Sequence, residues 1–200
     1  PTNIAKYSEQ IRELIYKGVS DKIFRTGVTF NIIDIAKRYG YHDLNEIKDL
    51  GIYFAKGNNY YYDKDKKRII LPTSILLNGP SKKDSIAIAH ELEHYFQFKT
   101  GNYIDQGTLT NKENKNSDFS YNNDINEINA RLSQITSFLI NSPKFKEEIS
   151  NYDFNPFVEI VVEKLLHMGD VNKYLDETLS EDNRNKLLEF LYLMWKKLKK

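Results

Sequence analysis

The sequence predicts an α+β fold that is mostly α-helical, with a small antiparallel meander sheet, one long buried helix and a helical C-terminal region. Apolar residues recur at helical spacing over most of the chain, whereas short apolar runs flanked by turn residues are confined to residues 52–72. The chain has 200 residues, of which 40% are hydrophobic, so it can bury a substantial core.

Three short helices are predicted before the sheet. The second spans residues 32–36 and stops before Gly40, and the third spans residues 43–50 with Gly51 just beyond its end. The opening helix is the clearest, because its apolar residues lie on one face: Ile4, Tyr7, Ile11, Leu14 and Ile15.

Three short strands are predicted next. Residues 52–55 and 60–62 flank Gly57, which favours a tight hairpin between them. Residues 68–71 return after a polar turn. Pro72 then closes this strand, which we expect at an edge of the sheet because proline cannot donate a ladder hydrogen bond.

The long helix is predicted over residues 81–100. Ser81 followed by Asp84 resembles a capping box, and Gly101 is placed to end the helix. Residues 86–89 are apolar on all sides, so we expect this helix to be buried.

Most of the remaining chain is predicted to be helical. A polar stretch over residues 101–123 precedes a helix over residues 124–140, and the last helix spans residues 181–198. We interpret Trp195 as a core residue. The terminal lysines are favoured by the helix dipole, and contact with a membrane surface is the alternative interpretation.

We expect a domain over residues 1–142 with a helical extension over residues 143–200 packed on it, or a single domain over residues 1–200. The 29 basic and 28 acidic residues give a net charge of +1, so no nucleic acid partner is expected. No apolar run reaches the roughly 18–20 residues of a membrane span, so no span is expected. The absence of cysteine excludes disulfides, thiolate catalysis and cysteine-ligated zinc.

A pair of histidines on the long helix points to metal chemistry. His90 and His94 are four residues apart, so both imidazoles face one side and reach a common ion. Glu91 points beside that face, where it can accept a proton from a water molecule held by the metal. A catalytic zinc ion needs a third protein ligand and one position for water.

The sequence offers several candidates for the third ligand. Glu127 is preferred, because a glutamate on a second helix can meet a histidine pair and Ala130 allows close approach of two helices. Asp124 and then His167 are the alternatives, and Glu127 also fits an ordinary acid in a first helical turn. His42 follows a helix end and is interpreted as a surface residue.

These motifs resemble the zincin metallopeptidases of the glutamate-ligand type. More narrowly, residues 52–140 are similar to metallopeptidase domains in the polyvalent proteins of bacteriophages and conjugative elements. In those domains a strand precedes His-Glu-x-x-His, a glutamine follows, and Glu-x-x-Ala-Arg comes later. Here these are residues 68–71, Gln97 and residues 127–131, while Glu93 and Asn129 depart from the common pattern.

The resemblance implies a zincin-like fold and hydrolysis of peptide bonds. Zn²⁺ would be held by His90, His94 and Glu127, with Glu91 as general base. Tyr121, Arg131 and His167 are candidates to stabilise the oxyanion, and Tyr121 is preferred.

The resemblance also suggests how a substrate would bind and where the protein acts. A protein or peptide substrate would pair with the strand over residues 68–71, under a lid formed by residues 101–123. The protein would be encoded by a phage or mobile element and be carried in a virion or released from a longer polypeptide, with other virion or polyprotein components as partners. A structural or cargo protein with a non-catalytic metal, and a regulatory protease acting on a repressor, are the alternatives.

Overall fold

The computed structural model describes residues 3–103, 121–166, 168 and 170–199. Helices predominate and are accompanied by one four-stranded sheet, which confirms the predicted α+β class. The chain forms two compact units, residues 1–102 and 103–200. The expected domain boundary after residue 142 stays a prediction.

The described part of the first unit contains four helices and four strands. The helices are α1 (Ile4–Ser20), α2 (Ile32–Arg38), α3 (Ser74–Asn78) and α4 (Lys82–Thr100). The strands are β1 (Thr29–Asn31), β2 (Gly51–Ala55), β3 (Tyr61–Asp63) and β4 (Arg68–Pro72).

The short helix predicted over residues 43–50 is only a 3₁₀ turn, Asn45–Ile47. Leu44, Ile47 and Leu50 are all fully buried, and their spacing of three residues matches the three residues per turn of a 3₁₀ helix. The α-helix predicted over residues 43–50 is therefore wrong, and a single 3₁₀ turn takes its place.

The sheet is mixed, with strand order β1–β2–β4–β3, so the predicted antiparallel meander is wrong. Strand β4 pairs in parallel with β2, where Ile69 lies opposite Ile52, and antiparallel with β3. The hairpin predicted at Gly57 is therefore wrong. The tight hairpin joins β3 to β4, where Asp63 accepts hydrogen bonds from the Lys66 N–H and from Arg68 Nε at 3.2 and 3.0 Å.

The central position of β4 contradicts the expectation that residues 68–71 form an edge strand open to a substrate. In this four-stranded sheet the edges are β1 and β3. Three consecutive apolar residues, Ile69, Ile70 and Leu71, are typical of a strand buried on both faces, and all three are buried. Pro72 is tolerated because it lies at the end of the strand.

The core of the first unit lies between the sheet and helices α1 and α4. Tyr7 of α1 stacks on Phe96 of α4, with ring centroids 6.2 Å apart. The largest fully buried side chains of this unit are those of Tyr95, Phe54, Ile11, Leu14, Ile15, Ile32, Leu44, Ile47, Leu50, Ile52 and Ile69.

The described part of the second unit is helical. Its elements are α5 (Ile125–Asn141), α6 (Pro143–Ser150), α7 (Phe154–Ile160), π-helical segments over Val161–Leu165 and Lys173–Thr178, and α8 (Glu181–Leu198). Its fully buried apolar residues include Ile135, Ile149, Phe157, Val161, Val162 and Leu191.

Replacing Asp84 is expected to destabilise the protein through the start of α4. The Asp84 carboxylate accepts hydrogen bonds from the Ser81 backbone N–H, the Ser81 hydroxyl and the Tyr60 hydroxyl, and the side chain is 7% exposed. We expect Asp84→Ala to lower the free energy of unfolding by about 2 kcal/mol, measured by urea denaturation. The matched control is Asp65→Ala on an exposed turn, and an equal loss in both variants would contradict the prediction.

Candidate metal centre

Helix α4 is anchored at both ends, which fixes the position of the histidines between them. At its N-terminus Asp84 forms the capping box with Ser81, and at its C-terminus Gly101 adopts a left-handed conformation with φ 71°. Both signals were predicted from the sequence. A long helix held in this way is a rigid support for side chains in its middle turns.

A polar network adds a second anchor near the C-terminal end of α4. The Tyr95 hydroxyl donates to the Asp49 carboxylate and lies 3.1 Å from the Glu46 carbonyl oxygen, and Lys99 Nζ lies 2.8 Å from the same hydroxyl. Burial opposes ionisation of Asp49, but the hydrogen bond from Tyr95 and the charge of Lys99 hold the pKa of its carboxyl below the usual value. The ionised carboxylate thus ties α4 to the residues that follow the 3₁₀ turn.

The two histidines face each other on consecutive turns of α4. Their Nε2 atoms are 3.2 Å apart, their ring centroids are 4.9 Å apart, and both side chains are partly buried. Two nitrogens bound tetrahedrally to zinc at about 2.0–2.1 Å would stand about 3.3 Å apart. The observed separation therefore fits a pair of imidazoles that share one ion.

Gln97 orients the second of these rings. Its Oε1 lies 3.1 Å from His94 Nδ1, and its side chain is 5% exposed. Because an amide oxygen only accepts, we assign the proton of His94 to Nδ1, which leaves the Nε2 lone pair directed at His90. In the sequence, Gln97 is identified only through the resemblance. Its spacing of three residues from His94 was the signal for this contact.

Glu127 completes a group of three residues that could hold a metal ion. One ligand atom from each of His90, His94 and Glu127 lies within 4.8 Å of the other two. Glu127 belongs to the first turn of α5 and is partly buried. Two imidazoles and a carboxylate are a donor set that suits zinc.

Glu91, the predicted general base, is the most deeply buried acid of the motif. Its side chain is 6% exposed, whereas those of its neighbours His90 and Glu93 are only partly buried. One residue along an α-helix is a rotation of about 100°, so Glu91 lies beside the histidine face and does not share it.

The alternative ligands differ from Glu127 in their surroundings. Asp124 is the N-cap of α5, and its Oδ1 accepts hydrogen bonds from the backbone N–H and side-chain amide of Asn126 at 2.7 and 2.8 Å. His42 is exposed and is not part of the metal-binding group. His167 lies outside the described residues, as do residues 104–120 of the predicted lid.

The segment that leads into α5 is fixed within the second unit. The Asn123 side chain accepts a hydrogen bond from the Ser180 N–H at 2.6 Å and donates one to the Thr178 carbonyl at 2.9 Å. Asn183 donates to Asn123 as well, at 3.1 Å. Sequence reasoning missed these contacts because their partners are more than 50 residues apart.

Arg131 supports the same segment from within α5. Its buried guanidinium donates to the Tyr174 hydroxyl at 2.7 Å and to Asn122 Oδ1 at 2.6 Å, and it lies 5.7 Å from the ring centroid of Tyr121. Tyr121 itself is 53% exposed. Both of these hydrogen-bond acceptors are neutral oxygens.

Removing the Arg131 guanidinium is expected to cost about 3 kcal/mol of unfolding free energy, because Arg131→Met leaves buried polar partners without their donor. Burial raises the pKa of Tyr174 and the Arg131 charge opposes that rise, so the same variant should raise this pKa further. Urea denaturation and a tyrosine titration measure the two effects. The control is Arg184→Met at a surface pair with Asp176, where a loss of less than about 0.5 kcal/mol is expected.

Comparison with known proteins adds no assignment. No family model, no curated protein and no solved structure matches the chain. The resemblance to zincins therefore stays a prediction based on the motifs and on the metal-binding group.

Proposed function

We propose that the protein is a zinc-dependent peptidase in which His90, His94 and Glu127 hold the ion and Glu91 is the general base. The observation that carries this proposal is the convergence of three ligand atoms within 4.8 Å, two of them 3.2 Å apart on one helix. The donor set favours zinc over calcium or magnesium, because those ions prefer oxygen ligands.

Each side chain has a separate role in this proposal. When bound, zinc supplies Lewis acidity and lowers the pKa of a coordinated water toward neutrality. Gln97 keeps His94 in the tautomer that binds a metal through Nε2. Glu91 takes the proton from the attacking water and passes it to the departing amine.

Tyr121 remains the proposed donor to the oxyanion. Its phenol is 53% exposed, so it is accessible to a substrate. Arg131 suits this role less well, because it is buried and donates to Tyr174 and Asn122. The proposed substrate is a protein or peptide.

Among the described residues, every helix is too short or too polar to span a lipid bilayer.

Metal analysis combined with digestion of a peptide library tests the proposal. We expect one zinc ion per chain and cleavage that a chelator abolishes and added zinc restores. Stoichiometric zinc without any cleavage would instead support a structural or cargo protein. A chain that binds no zinc would contradict both functions.

A further inference from the structure

We propose that the C-terminal half of α8 binds the surface of membranes that contain anionic lipids. Its outward face carries two exposed apolar side chains, Tyr192 and Leu193, which are 40% and 54% exposed. Lys196 and Lys197 follow one turn later on the same face, and Lys199 ends the helix. This combination of apolar and basic side chains is typical of helices that lie in a membrane interface.

The charge of this surface is of one sign. Glu189 is the last acidic residue of the chain, so the three lysines at 196, 197 and 199 have no acidic neighbour on their own stretch of helix. Helix α6 contributes Glu147 and Glu148, and Asp153 precedes α7, in the elements that pack against α8. Among the described residues, none of these three acids forms an ion pair with the lysines.

The aromatic rings of this surface are held in place before any ligand binds. Tyr192 and Trp195 stack with an interplanar angle of 28°, and the Phe154 ring lies 5.5 and 5.8 Å from them. The Trp195 indole N–H donates to the Tyr152 carbonyl at 2.9 Å. Tyrosine and tryptophan prefer the level of lipid headgroups, where the ring meets the hydrocarbon boundary and its polar end stays hydrated.

The same geometry disfavours nucleic acid as the ligand. Base stacking needs an open ring face. Here Lys196 Nζ lies 4.6 Å over the Tyr192 ring, Lys199 Nζ lies 5.5 Å from the Trp195 ring, and the two rings stack against each other with centroids 6.0 Å apart. At a lipid surface these flexible lysines extend to the headgroup phosphates while their stems stay on the rings.

The chain contains a built-in reporter, because Trp195 is its only tryptophan. We expect its fluorescence to shift to shorter wavelength with phosphatidylserine-containing vesicles at low salt and not with pure phosphatidylcholine vesicles. Co-sedimentation of the intact protein with the same vesicles gives the affinity.

A charge variant and its matched control test the lysines. A lysine near an anionic surface contributes about fivefold to binding, so replacing Lys196, Lys197 and Lys199 by glutamine should weaken binding about a hundredfold. Glutamine at Lys37, Lys48 and Lys56, three exposed lysines of the first unit, makes the same change in net charge and should weaken it far less. Leu193→Ser should reduce the fluorescence shift, and circular dichroism checks folding.

Three results would overturn the proposal: no binding to phosphatidylserine vesicles, equal weakening by the two lysine triples, or tight binding of a single-stranded oligonucleotide in place of vesicles. The metal ligands are untouched in all of these variants. Zinc content is therefore expected to stay at the wild-type value, which separates this proposal from the proposed peptidase activity.

Discussion

Glu91→Gln is expected to lower kcat for peptide hydrolysis by about 10³-fold while leaving one zinc ion per chain. The substitution keeps the size of the buried side chain but removes its capacity to accept a proton, and general-base catalysis contributes about 10²–10⁴-fold. Because Glu91 is not one of the three proposed ligands, zinc binding should persist. Initial rates on a peptide from the library digest and elemental analysis of the same sample measure both quantities.

Glu93→Gln provides the matched control, since it makes the same chemical change two residues along α4 on a partly buried side chain. Its kcat should remain within about threefold of the wild type, because it has no part in proton transfer. Wild-type activity in Glu91→Gln would exclude Glu91 as the base. Loss of zinc in that variant would mean that Glu91 supports the metal.

Replacing a ligand is expected to have the largest effect on metal affinity. His94→Ala should weaken zinc binding by at least about a hundredfold, since even residues that only orient a ligand contribute about 10–100-fold. Glu127→Gln should do the same if its carboxylate is the third ligand, and catalysis should be lost in parallel. Competition with a chromogenic chelator measures the affinity.

Two control variants make the same substitutions at positions outside the proposed site. His42→Ala deletes an exposed histidine and Glu147→Gln neutralises an exposed acid, and both should bind zinc as the wild type does. If Glu127→Gln keeps the wild-type zinc affinity and an Asp124 variant loses it, Asp124 and not Glu127 is the third ligand. Full affinity in His94→Ala would refute the site itself.

Local signals were sufficient to predict the elements that carry the candidate site. Helix α4 spans Lys82–Thr100, one residue shorter than predicted, because Ser81 and Asp84 form its capping box and Gly101 ends it. The facing arrangement of His90 and His94 was equally predictable, since a spacing of four residues places two side chains on the same face of any α-helix.

Contacts between distant parts of the chain could not be predicted in this way. Spacing alone left Glu127, Asp124 and His167 as alternatives, because a third ligand depends on how separate helices pack. The hydrogen bond from Arg131 to Tyr174 joins residues that are 43 positions apart, and no local sequence pattern predicts it. The prediction of strand order was wrong for the same reason. The signal that could have placed β4 in the centre of the sheet is its run of three consecutive apolar residues.

The strand order also bears on how the chain is made. During synthesis β2 leaves the ribosome before β4, so one of its sides stays without hydrogen-bonding partners until residues 68–72 have followed. A nascent chain that stalls after β2 has emerged and before β4 has followed exposes unpaired backbone N–H and C=O groups, to which other polypeptides can bind. Released fragments that end near residue 60 are therefore expected to bind chaperones more strongly than fragments that extend beyond α4.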